Sequence, residues 1–388
     1  MAHIKTKKEF GEMTTAFWKN IQKKPYAFGI GENYFDRTGE LIAVRWLTIN
    51  VESNYGMLAV LLKHVKYFDD PKSEYTLTTT DASSILEKNF QAFRKDDDFH
   101  ANLEALSQDS VNSFTIRIYM DESELGKDTE SIADVHFRLA LMSRQHKLPN
   151  SVSLKGMWPM LPNLIWTNLA VYTIADWHQT WMSSPDYGEF ALAQDKMPPM
   201  YWANPAPANV RVANTTMIRH GAHLAPETTV MHYGFVNFNA GTLGKSMVEG
   251  RISAGTTVGA RSDIGAGAGF LGTLSGGNDI VINTGENCLV GAMAECGIPI
   301  GDDVCIAAGV VFTGNTPVKV IRWKKRSDGK FETDANGRPL VESERVCKAI
   351  ELEGICEVTF RRNSLDGSIE VIPVPNKAVL NDMLHKND

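Results

Sequence analysis

The sequence of 388 residues predicts a mixed α/β N-terminal domain, then a left-handed parallel β-helix built from hexapeptide repeats, then a short C-terminal β segment. Three observations carry this prediction. The first half of the chain alternates strand-like and helix-like patterns. From about residue 210, apolar residues recur every six positions, with glycine or asparagine close behind them. A period of six fits neither an α-helix nor a simple hairpin, but it fits short strands that each form one side of a triangular coil.

The N-terminal domain contains recognisable strand and helix patterns. Residues 40–51 are rich in β-branched and aromatic side chains, and residues 113–119 alternate strictly, which predicts a half-buried strand. Residues 81–84 can cap a helix that runs toward Phe93. Residues 129–144 place apolar side chains on one helical face, namely Ile132, Val135, Leu139 and Met142.

Changes in composition mark the domain boundaries. A segment rich in proline and turn residues, 183–209, separates the two halves of the chain. Asp328-Gly329 and Asn336-Gly337 are strong hairpin signals, and they predict a polar hairpin excursion after the β-helix. The predicted domains are a mixed α/β domain over 1–205, a β-helix over 206–320, the hairpin excursion over 321–346 and a C-terminal β segment over 347–388.

The six-residue pattern is regular enough to assign inward-facing positions. The inward side chains fill the prism, and the small residues behind them make tight corners, often with a positive φ angle. The phase slips by four residues between Val248 and Ile252, where one repeat is irregular. A flexible linker would be rich in serine and would lack the spaced Val and Ile. The inward positions are Val230, Val236, Thr242, Val248, Ile252, Val258, Ile264, Phe270, Ile298, Val304 and Val310.

Composition and charge argue against several classes of protein. The net charge of −7 disfavours a nucleic-acid binder, which needs a basic face. No stretch approaches the roughly 20 apolar residues that a membrane helix needs, and the N-terminus lacks the apolar core of a signal peptide. The five cysteines contain no CxxC pair, so neither a disulfide framework nor a zinc ribbon is indicated. We therefore expect a cytoplasmic protein with no membrane and no nucleic-acid partner.

The stretch HYGFVNFNAGTLGKSMVEGRISAGTTVG, from His232 to Gly259, resembles the tetrahydrodipicolinate N-succinyltransferases, the succinylases of bacterial lysine and diaminopimelate synthesis. The resemblance continues, in order, through GFLGTLSGG, GDDVCIAAG, CKAIELEG and FRRNS. The N-terminal domain matches only in general architecture. The resemblance implies a homotrimer with active sites between subunits and no tightly bound cofactor. It would move a succinyl group from succinyl-CoA, its co-substrate, to the amino group of tetrahydrodipicolinate.

The resemblance also implies that Glu249, in the motif MVEGRIS, is the catalytic carboxylate. The acceptor nitrogen must lose a proton as it attacks the thioester, and a positioned carboxylate can take that proton. Alternatively, the carboxylate attacks first and forms a mixed anhydride with the succinyl group. A purely structural interpretation is also open, in which Glu249 pairs with Arg251, two residues further on and therefore on the same strand face.

Other residues are assigned to the donor. Gly272 lies where a backbone N–H could stabilise the developing oxyanion, a role that we predict on geometric grounds. Small residues would let the pantetheine arm approach the backbone, and basic side chains suit the phosphates at the nucleotide end. By resemblance, the residues that contact coenzyme A are Arg251, Ala266, Gly269, Ala292, Ala307, Ala308, Lys348, Arg361, Arg362, Asn363 and Ser364.

No metal site is expected. His220, His223 and His232 are separated by intervals that do not follow the six-residue coil, so their rings should point in different directions. Some relatives carry acidic residues that hold a metal on the trimer axis, but the matching positions here are Thr216 and Tyr233. Two other functions stay open: an acyltransferase of the same fold that uses another donor such as acetyl-CoA, and a non-catalytic β-helix scaffold.

Overall fold

The computed structural model describes residues 6–21, 23–89, 104–107, 113–183, 188–272 and 280–373. The chain forms two compact units. The first unit combines residues 1–141 with 151–205, and the second combines residues 142–150 with 206–388. No helix in the described ranges is both long enough and apolar enough to span a bilayer.

The first unit contains a four-stranded antiparallel sheet. Its strands are β1 (Ala27–Phe35), β2 (Leu41–Val51), β3 (Glu74–Thr78) and β4 (Ser113–Tyr119), hydrogen-bonded in the order β2-β1-β4-β3. Its longer helices are α1 (Lys7–Lys19), α2 (Tyr55–His64), α3 (Thr79–Asn89) and α4 (Ile132–Ser143), of which α4 ends in the second unit. Apolar side chains of β1, β4 and α2 form a buried core that includes Phe28, Leu58 and Phe114.

The predicted strand at 113–119 is present as β4, but the prediction that it is half-buried is wrong. All seven of its residues are buried. The polar face is covered because α4 carries buried partners for it: Arg117 lies 3.5 Å from the Asp134 carboxylate, which also accepts a 2.9 Å hydrogen bond from Arg138 Nε. Thr115 donates to the Asn33 side chain on β1 at 2.8 Å. The alternation of apolar and polar residues in β4 therefore corresponds to two buried faces of the strand, one apolar and one polar.

The predicted strand at 40–51 is β2, and the helix predicted at 129–144 is α4. The helix predicted from residue 81 begins at Thr79 as α3, and its continuation toward Phe93 lies outside the described residues. A second, smaller sheet has the order β6-β5-β7. The remaining elements of this unit are β5 (Leu164–Thr167), β6 (Val171–Thr173), β7 (Ala191–Asp195), α5 (Met157–Met160), α6 (Ile174–Ser183) and α7 (Met200–Ala203).

The predicted N-terminal domain, 1–205, differs from the first unit by the segment 142–150. Hydrogen bonds attach this segment to the first coils of the second unit. Gly221 N donates to Ser143 Oγ at 2.8 Å, and the Asn150 side-chain amide donates to the Gly255 carbonyl at 2.9 Å. Contacts of this kind need no periodic spacing of apolar residues. The sequence pattern therefore does not indicate that this segment belongs to the second unit.

The second unit is a β-helix in which short strands pair in parallel with strands one coil away. The first ladder contains β8 (Arg211–Val212), β10 (Thr228–Val230), β13 (Ser246–Val248), β16 (Ser262–Ile264), β19 (Leu289–Val290) and β21 (Cys305–Ile306). The second contains β11 (Phe235–Val236), β14 (Arg251–Ile252), β17 (Gly269–Phe270), β20 (Glu295–Gly297) and β22 (Val311–Thr313). The third contains β9 (Ala222–Leu224), β12 (Ala240–Thr242), β15 (Thr257–Val258) and β18 (Asn283–Thr284).

The prediction of a parallel β-helix is confirmed, and the eleven inward positions assigned from the six-residue period are all buried. Thr242 is the polar member of this set. Its hydroxyl lies 2.6 Å from Thr228 Oγ1 and accepts a hydrogen bond from Ala225 N at 3.1 Å. The inward position therefore tolerates threonine because both hydroxyls find partners inside the prism.

The C-terminal residues extend the first ladder into a ten-stranded sheet. Both hairpin signals of the predicted excursion are turns, with Gly329 and Gly337 at φ of 81° and 77°. The excursion is carried on two strands that extend beyond the predicted limits of 321–346, and residues 374–388 lie outside the described part. The added strands are β23 (Pro317–Trp323), β24 (Val341–Lys348), β25 (Thr359–Arg362) and β26 (Ile369–Ile372), ordered β24-β23-β26-β25-β21.

Candidate functional site

The chain makes a corner each time it passes from the first ladder to the second, and these corners stack along one edge of the prism. Backbone hydrogen bonds join successive corners: Met293 N donates to the Ala266 carbonyl at 2.9 Å, and Gly309 N donates to the Ala292 carbonyl at 2.9 Å. We call this edge the corner column. It consists of residues 231–234, 249–250, 265–268, 291–294 and 307–310.

The corner at Glu249 is two residues shorter than the others. Each longer corner has four residues and closes with a hydrogen bond from its last N–H to its first carbonyl, as Ala268 N does to Gly265 O at 2.9 Å. The short corner contains only Glu249 and Gly250. A Cβ on Gly250 would lie 2.2 Å from the Ala268 carbonyl oxygen, so the tight path requires glycine. The shortened repeat between Val248 and Ile252 in the sequence thus corresponds to a recess in the corner column, and the Glu249 carboxylate lies in this recess.

The Glu249 side chain is half-buried in this recess. Among the described residues, none forms a hydrogen bond or an ion pair with it. The structural interpretation, in which Glu249 pairs with Arg251, is wrong, because a corner separates the two residues. Glu249 follows β13 of the first ladder, whereas Arg251 begins β14 of the second, so their side chains leave from different faces.

Arg251 pairs instead with Glu295, two coils away on the second ladder. Gly269 lies between them in register, paired with Arg251 on one side and with Glu295 on the other. A Cβ on Gly269 would lie 2.9 Å from Arg251 Nη2 and 3.0 Å from Glu295 Oε2. Gly269 is therefore covered by this ion pair rather than open to a ligand, and sequence reasoning missed Glu295. Glu295 lies next to a core residue on a short strand, as any outward-facing residue of the repeat does. The sequence therefore gives no signal of its contact with Arg251.

Four of the predicted small residues lie on the corner column beyond Glu249. Ala266, Ala292 and Ala308 are exposed, and Ala307 is half-buried. The next strand along the ladder is β25, where the Phe360 carbonyl accepts a hydrogen bond from Ala307 N at 2.9 Å. Four strand spacings separate the Glu249 corner from residues 361–364, which corresponds to about 19 Å at about 4.8 Å each. The structure thus brings these small residues and Glu249 together on one long, narrow track.

The far end of this track carries the predicted basic residues. Asn363 N donates to the Ser368 carbonyl at 2.8 Å, which closes the hairpin between β25 and β26. Lys348 ends β24, which β23 and β26 separate from β25 in the same sheet. Lys348 is exposed, as are Arg362 and Ser364. Arg362 forms no ion pair with any residue that the structure describes. The exposed cationic and hydroxyl groups at this end suit an anionic ligand such as a phosphate.

Arg361 differs from Arg362 because a buried carboxylate engages it. Glu370, which is 4% exposed, accepts hydrogen bonds from Arg361 Nε at 2.9 Å and from Asn363 Nδ2 at 2.7 Å. Glu370 faces Arg361 directly across the β25–β26 pair. Sequence reasoning missed this glutamate, which lies in an apolar strand. The sequence SIEVIP around it offers one signal. A single acidic residue in an otherwise apolar strand, shortly after two arginines, suggests that the glutamate pairs with one of them.

Gly272 does not lie beside Glu249 within one chain. It follows β17, the middle strand of the second ladder, at the end of that strand away from the Glu249 corner, and a Cβ on it would lie 2.8 Å from Ser253 Cβ. Glu249 lies before the strands of the second ladder and Gly272 lies after them. The two corners are therefore separated by the length of a strand, about 10 Å for three residues. The remainder of the GTLSGG motif, 273–279, lies outside the described residues.

The three histidines occupy different environments. His220 and His223 are buried, and burial lowers the pKa of His223, whose Nδ1 lies 3.1 Å from the Lys147 carbonyl. His232 is exposed and packs edge-on against Tyr233 at the corner next to Glu249. Within the part of the chain that the structure describes, no three His, Cys, Asp or Glu side chains form a group that could hold a metal ion.

Comparisons with known proteins agree with this geometry. Residues 281–313 match a family model described as the hexapeptide repeat of succinyl-transferase. A 2,3,4,5-tetrahydropyridine-2,6-dicarboxylate N-succinyltransferase from Pseudomonas putida is 40% identical over 260 residues, which is 66% of this chain and 71% of the relative. A protein of the same name from Vibrio cholerae is 40% identical over 261 residues, which is 67% of this chain and 71% of that relative.

The chain belongs to the 2,3,4,5-tetrahydropyridine-2,6-dicarboxylate N-succinyltransferase family. It is therefore an acyltransferase, and the family predicted from the sequence motifs is confirmed. A crystal structure from Campylobacter jejuni, described as a 2,3,4,5-tetrahydropyridine-2-carboxylate N-succinyltransferase, superposes with a TM-score of 0.79 at 27% identity. That likeness covers 98% of this chain and all of the Campylobacter chain, so it includes the N-terminal unit that sequence motifs did not reach.

The contrast between the two adjacent arginines gives a stability prediction. Arg361→Ala leaves the buried Glu370 carboxylate without its cationic partner, and we expect a loss of about 2 kcal/mol in the free energy of unfolding. Arg362→Ala, the matched control, should change it by less than about 0.5 kcal/mol because that exposed side chain engages no carboxylate among the described residues. Chemical denaturation followed by circular dichroism measures both values, and equal losses would contradict the role assigned to Glu370.

Proposed function

We propose that this protein transfers the succinyl group of succinyl-CoA to the amino group of ring-opened tetrahydrodipicolinate. The products would be N-succinyl-2-amino-6-oxopimelate and coenzyme A. The observation that carries the proposal is the Glu249 carboxylate in its recess, at one end of a track of small residues that has a basic cluster at the other end. The family assignment supports the reaction class, because the relatives are N-succinyltransferases by name.

The donor would lie along the corner column. Lys348, Arg362 and Ser364 would meet the phosphates of the nucleotide, since cationic groups and hydroxyls are favourable partners for phosphate oxygens. The pantetheine arm would then follow Ala307, Ala308, Ala292 and Ala266, whose small side chains permit close approach to the backbone. The track of about 19 Å suits a long, narrow arm and ends with the thioester at the Glu249 recess.

The chemistry at the recess is acyl transfer to an amine. The amine nitrogen attacks the thioester carbonyl, the C–S bond breaks, and the coenzyme leaves as a thiolate that takes up a proton. In the general-base route, Glu249 accepts the proton that the amine loses. In the nucleophilic route, Glu249 first takes the succinyl group as a mixed anhydride and then gives it to the amine. A carboxylate in a recess that pairs with none of the described residues can serve either route, because no hydrogen bond to them has to break first.

Arg251 would recognise the succinyl group itself. It directly follows the Glu249 corner, its guanidinium lies over Gly269 on the second ladder, and Glu295 engages only part of its hydrogen-bonding capacity. The remaining donors suit the distal carboxylate of succinate. An acetyl group has no such carboxylate, so this arrangement favours succinyl-CoA over acetyl-CoA as the donor. The scaffold interpretation is not favoured, because the relatives are enzymes.

The assembly that fits this site is a homotrimer of left-handed β-helices with active sites between subunits. The separation of Gly272 from Glu249 within one chain supports the proposal, because a neighbouring copy could bring its own Gly272 to the recess as the oxyanion donor. The exposed Tyr233, on the corner column, is an apolar surface of the kind that neighbouring subunits cover. A cytoplasmic location follows from the use of succinyl-CoA as donor.

Thiol release from succinyl-CoA tests the function. Purified protein is mixed with succinyl-CoA or acetyl-CoA, with and without tetrahydrodipicolinate, and a control without donor subtracts the signal of the protein's own cysteines. We expect acceptor-dependent release from succinyl-CoA and little from acetyl-CoA. Release from acetyl-CoA alone would overturn the donor assignment, and no release from a folded trimer with either donor would overturn the reaction.

Glu249→Gln tests the catalytic carboxylate. The substitution keeps the size of the side chain but removes its basicity and nucleophilicity, so we expect kcat to fall by at least about 100-fold. The free energy of unfolding should stay near the wild-type value because no described residue pairs with Glu249. Mass spectrometry of the wild-type protein with succinyl-CoA alone separates the routes, since only the anhydride route adds a succinyl group to the protein. Near-native turnover by a correctly assembled variant would exclude Glu249 from both.

Glu295→Gln tests the placement of Arg251. The neutral amide holds the guanidinium more weakly, and we expect the KM for succinyl-CoA to rise about fivefold, equivalent to about 1 kcal/mol, with kcat nearly unchanged. Glu286→Gln is the control, because it weakens another arginine–glutamate pair, with Arg261, on a different corner. An unchanged KM for Glu295→Gln, or an equal rise for both variants, would show that Glu295 does not act through Arg251.

A further inference from the structure

Met293 occupies a backbone conformation that its residue type disfavours. It is the third residue of the corner 291–294 and has a φ of 59°, in the left-handed region. The equivalent positions in the neighbouring corners are Gly267 and Gly309, with φ of 66° and 69°. Glycine reaches this region without steric conflict, whereas a side chain with a Cβ does so at a cost. A methionine at this position therefore needs an explanation beyond the turn itself.

The fold does not supply that explanation through burial. Met293 is 68% exposed, so its side chain contributes little to the core of the β-helix. A residue that is conformationally disfavoured and also exposed gains little stability from its backbone or from the core of the chain. Strain of this kind is retained where the side chain serves a contact outside the protomer's own core.

The side chain of Met293 points along the corner column toward Glu249. A Cβ built on Gly267 would lie 2.7 Å from Met293 Sδ and 3.2 Å from its Cε. The thioether therefore lies over Gly267, on the part of the track between Ala292 and Ala266. The absent side chain of Gly267 leaves room for it, so the two residues are complementary. From Gly267, only one strand spacing separates the thioether from the Glu249 corner.

We propose that Met293 is a binding residue for the pantetheine arm of the acyl donor, and this proposal rests on the proposed function. Its thioether forms an apolar side wall against the pantetheine arm, one step before the thioester reaches Glu249. Methionine suits this task because it is unbranched and polarisable and adapts to a chain of methylene and amide groups. The wall holds the arm on the row of small residues and thereby sets how far the thioester extends toward the recess.

Met293→Gly tests the proposal, with Met293→Leu as the matched control. Glycine relieves the backbone strain and removes the wall, so the melting temperature should be unchanged or higher while the KM for succinyl-CoA rises about tenfold at nearly constant kcat. Leucine keeps both the strain and the apolar wall, so its KM should stay within about twofold of the wild type. A merely structural role predicts the opposite for glycine, namely a lower melting temperature with no change in KM.

Calorimetric titration with coenzyme A separates failure of this proposal from failure of the proposed function. Binding of coenzyme A needs no acceptor and no turnover, and Met293→Gly should weaken it by the same factor as it raises the KM. Equal affinity of the wild type and the glycine variant would overturn the proposal, even if the enzyme transfers succinyl groups. Loss of the wild-type oligomeric state in Met293→Gly, measured by sedimentation, would also overturn it, because Met293 would then be a subunit contact.

Discussion

The site depends on one constraint, which is that each strand of the β-helix hydrogen-bonds to the strand one coil away in fixed register. Residues at equivalent points of successive coils must then stack in columns about 4.8 Å apart. Corners that are far apart in the sequence therefore become neighbours on one edge, as Ala266 and Ala292 do. A linear ligand can follow such an edge because the repeat of the backbone supplies the same small step at every coil.

A local departure from this regularity creates the position at which we propose the reaction takes place. The Glu249 corner is two residues shorter than its neighbours, so the edge is recessed there and the carboxylate lies between two protruding corners. The cost of the tight path is limited because Gly250 has no Cβ to meet the Ala268 carbonyl. Regular coils thus provide the track, and one irregular coil provides the place where chemistry can occur.

Two carboxylates behind the surface organise the cations of the site. Glu295 holds Arg251 across Gly269, and Glu370 holds Arg361 and Asn363 at the end of β25. A guanidinium fixed by one carboxylate loses less freedom when it meets a second anion, so the partner acts as a positioning group. The same arrangement separates Arg361 from Arg362, since only the latter is unengaged among the described residues and able to meet a phosphate at full charge.

The sequence by itself determined the β-helix, its inward residues and the acyltransferase family, because a six-residue period and the motif MVEGRIS are local patterns along the chain. It also located the irregular repeat at Val248 to Ile252, although not its meaning as a recess. Only the tertiary structure decided that Arg251 pairs with Glu295 rather than with Glu249, that Glu370 engages Arg361, and that residues 142–150 join the second unit. The residues in these contacts become neighbours only when coils stack or a hairpin forms. The periodicity of a single sequence does not show which side chains of successive coils will touch.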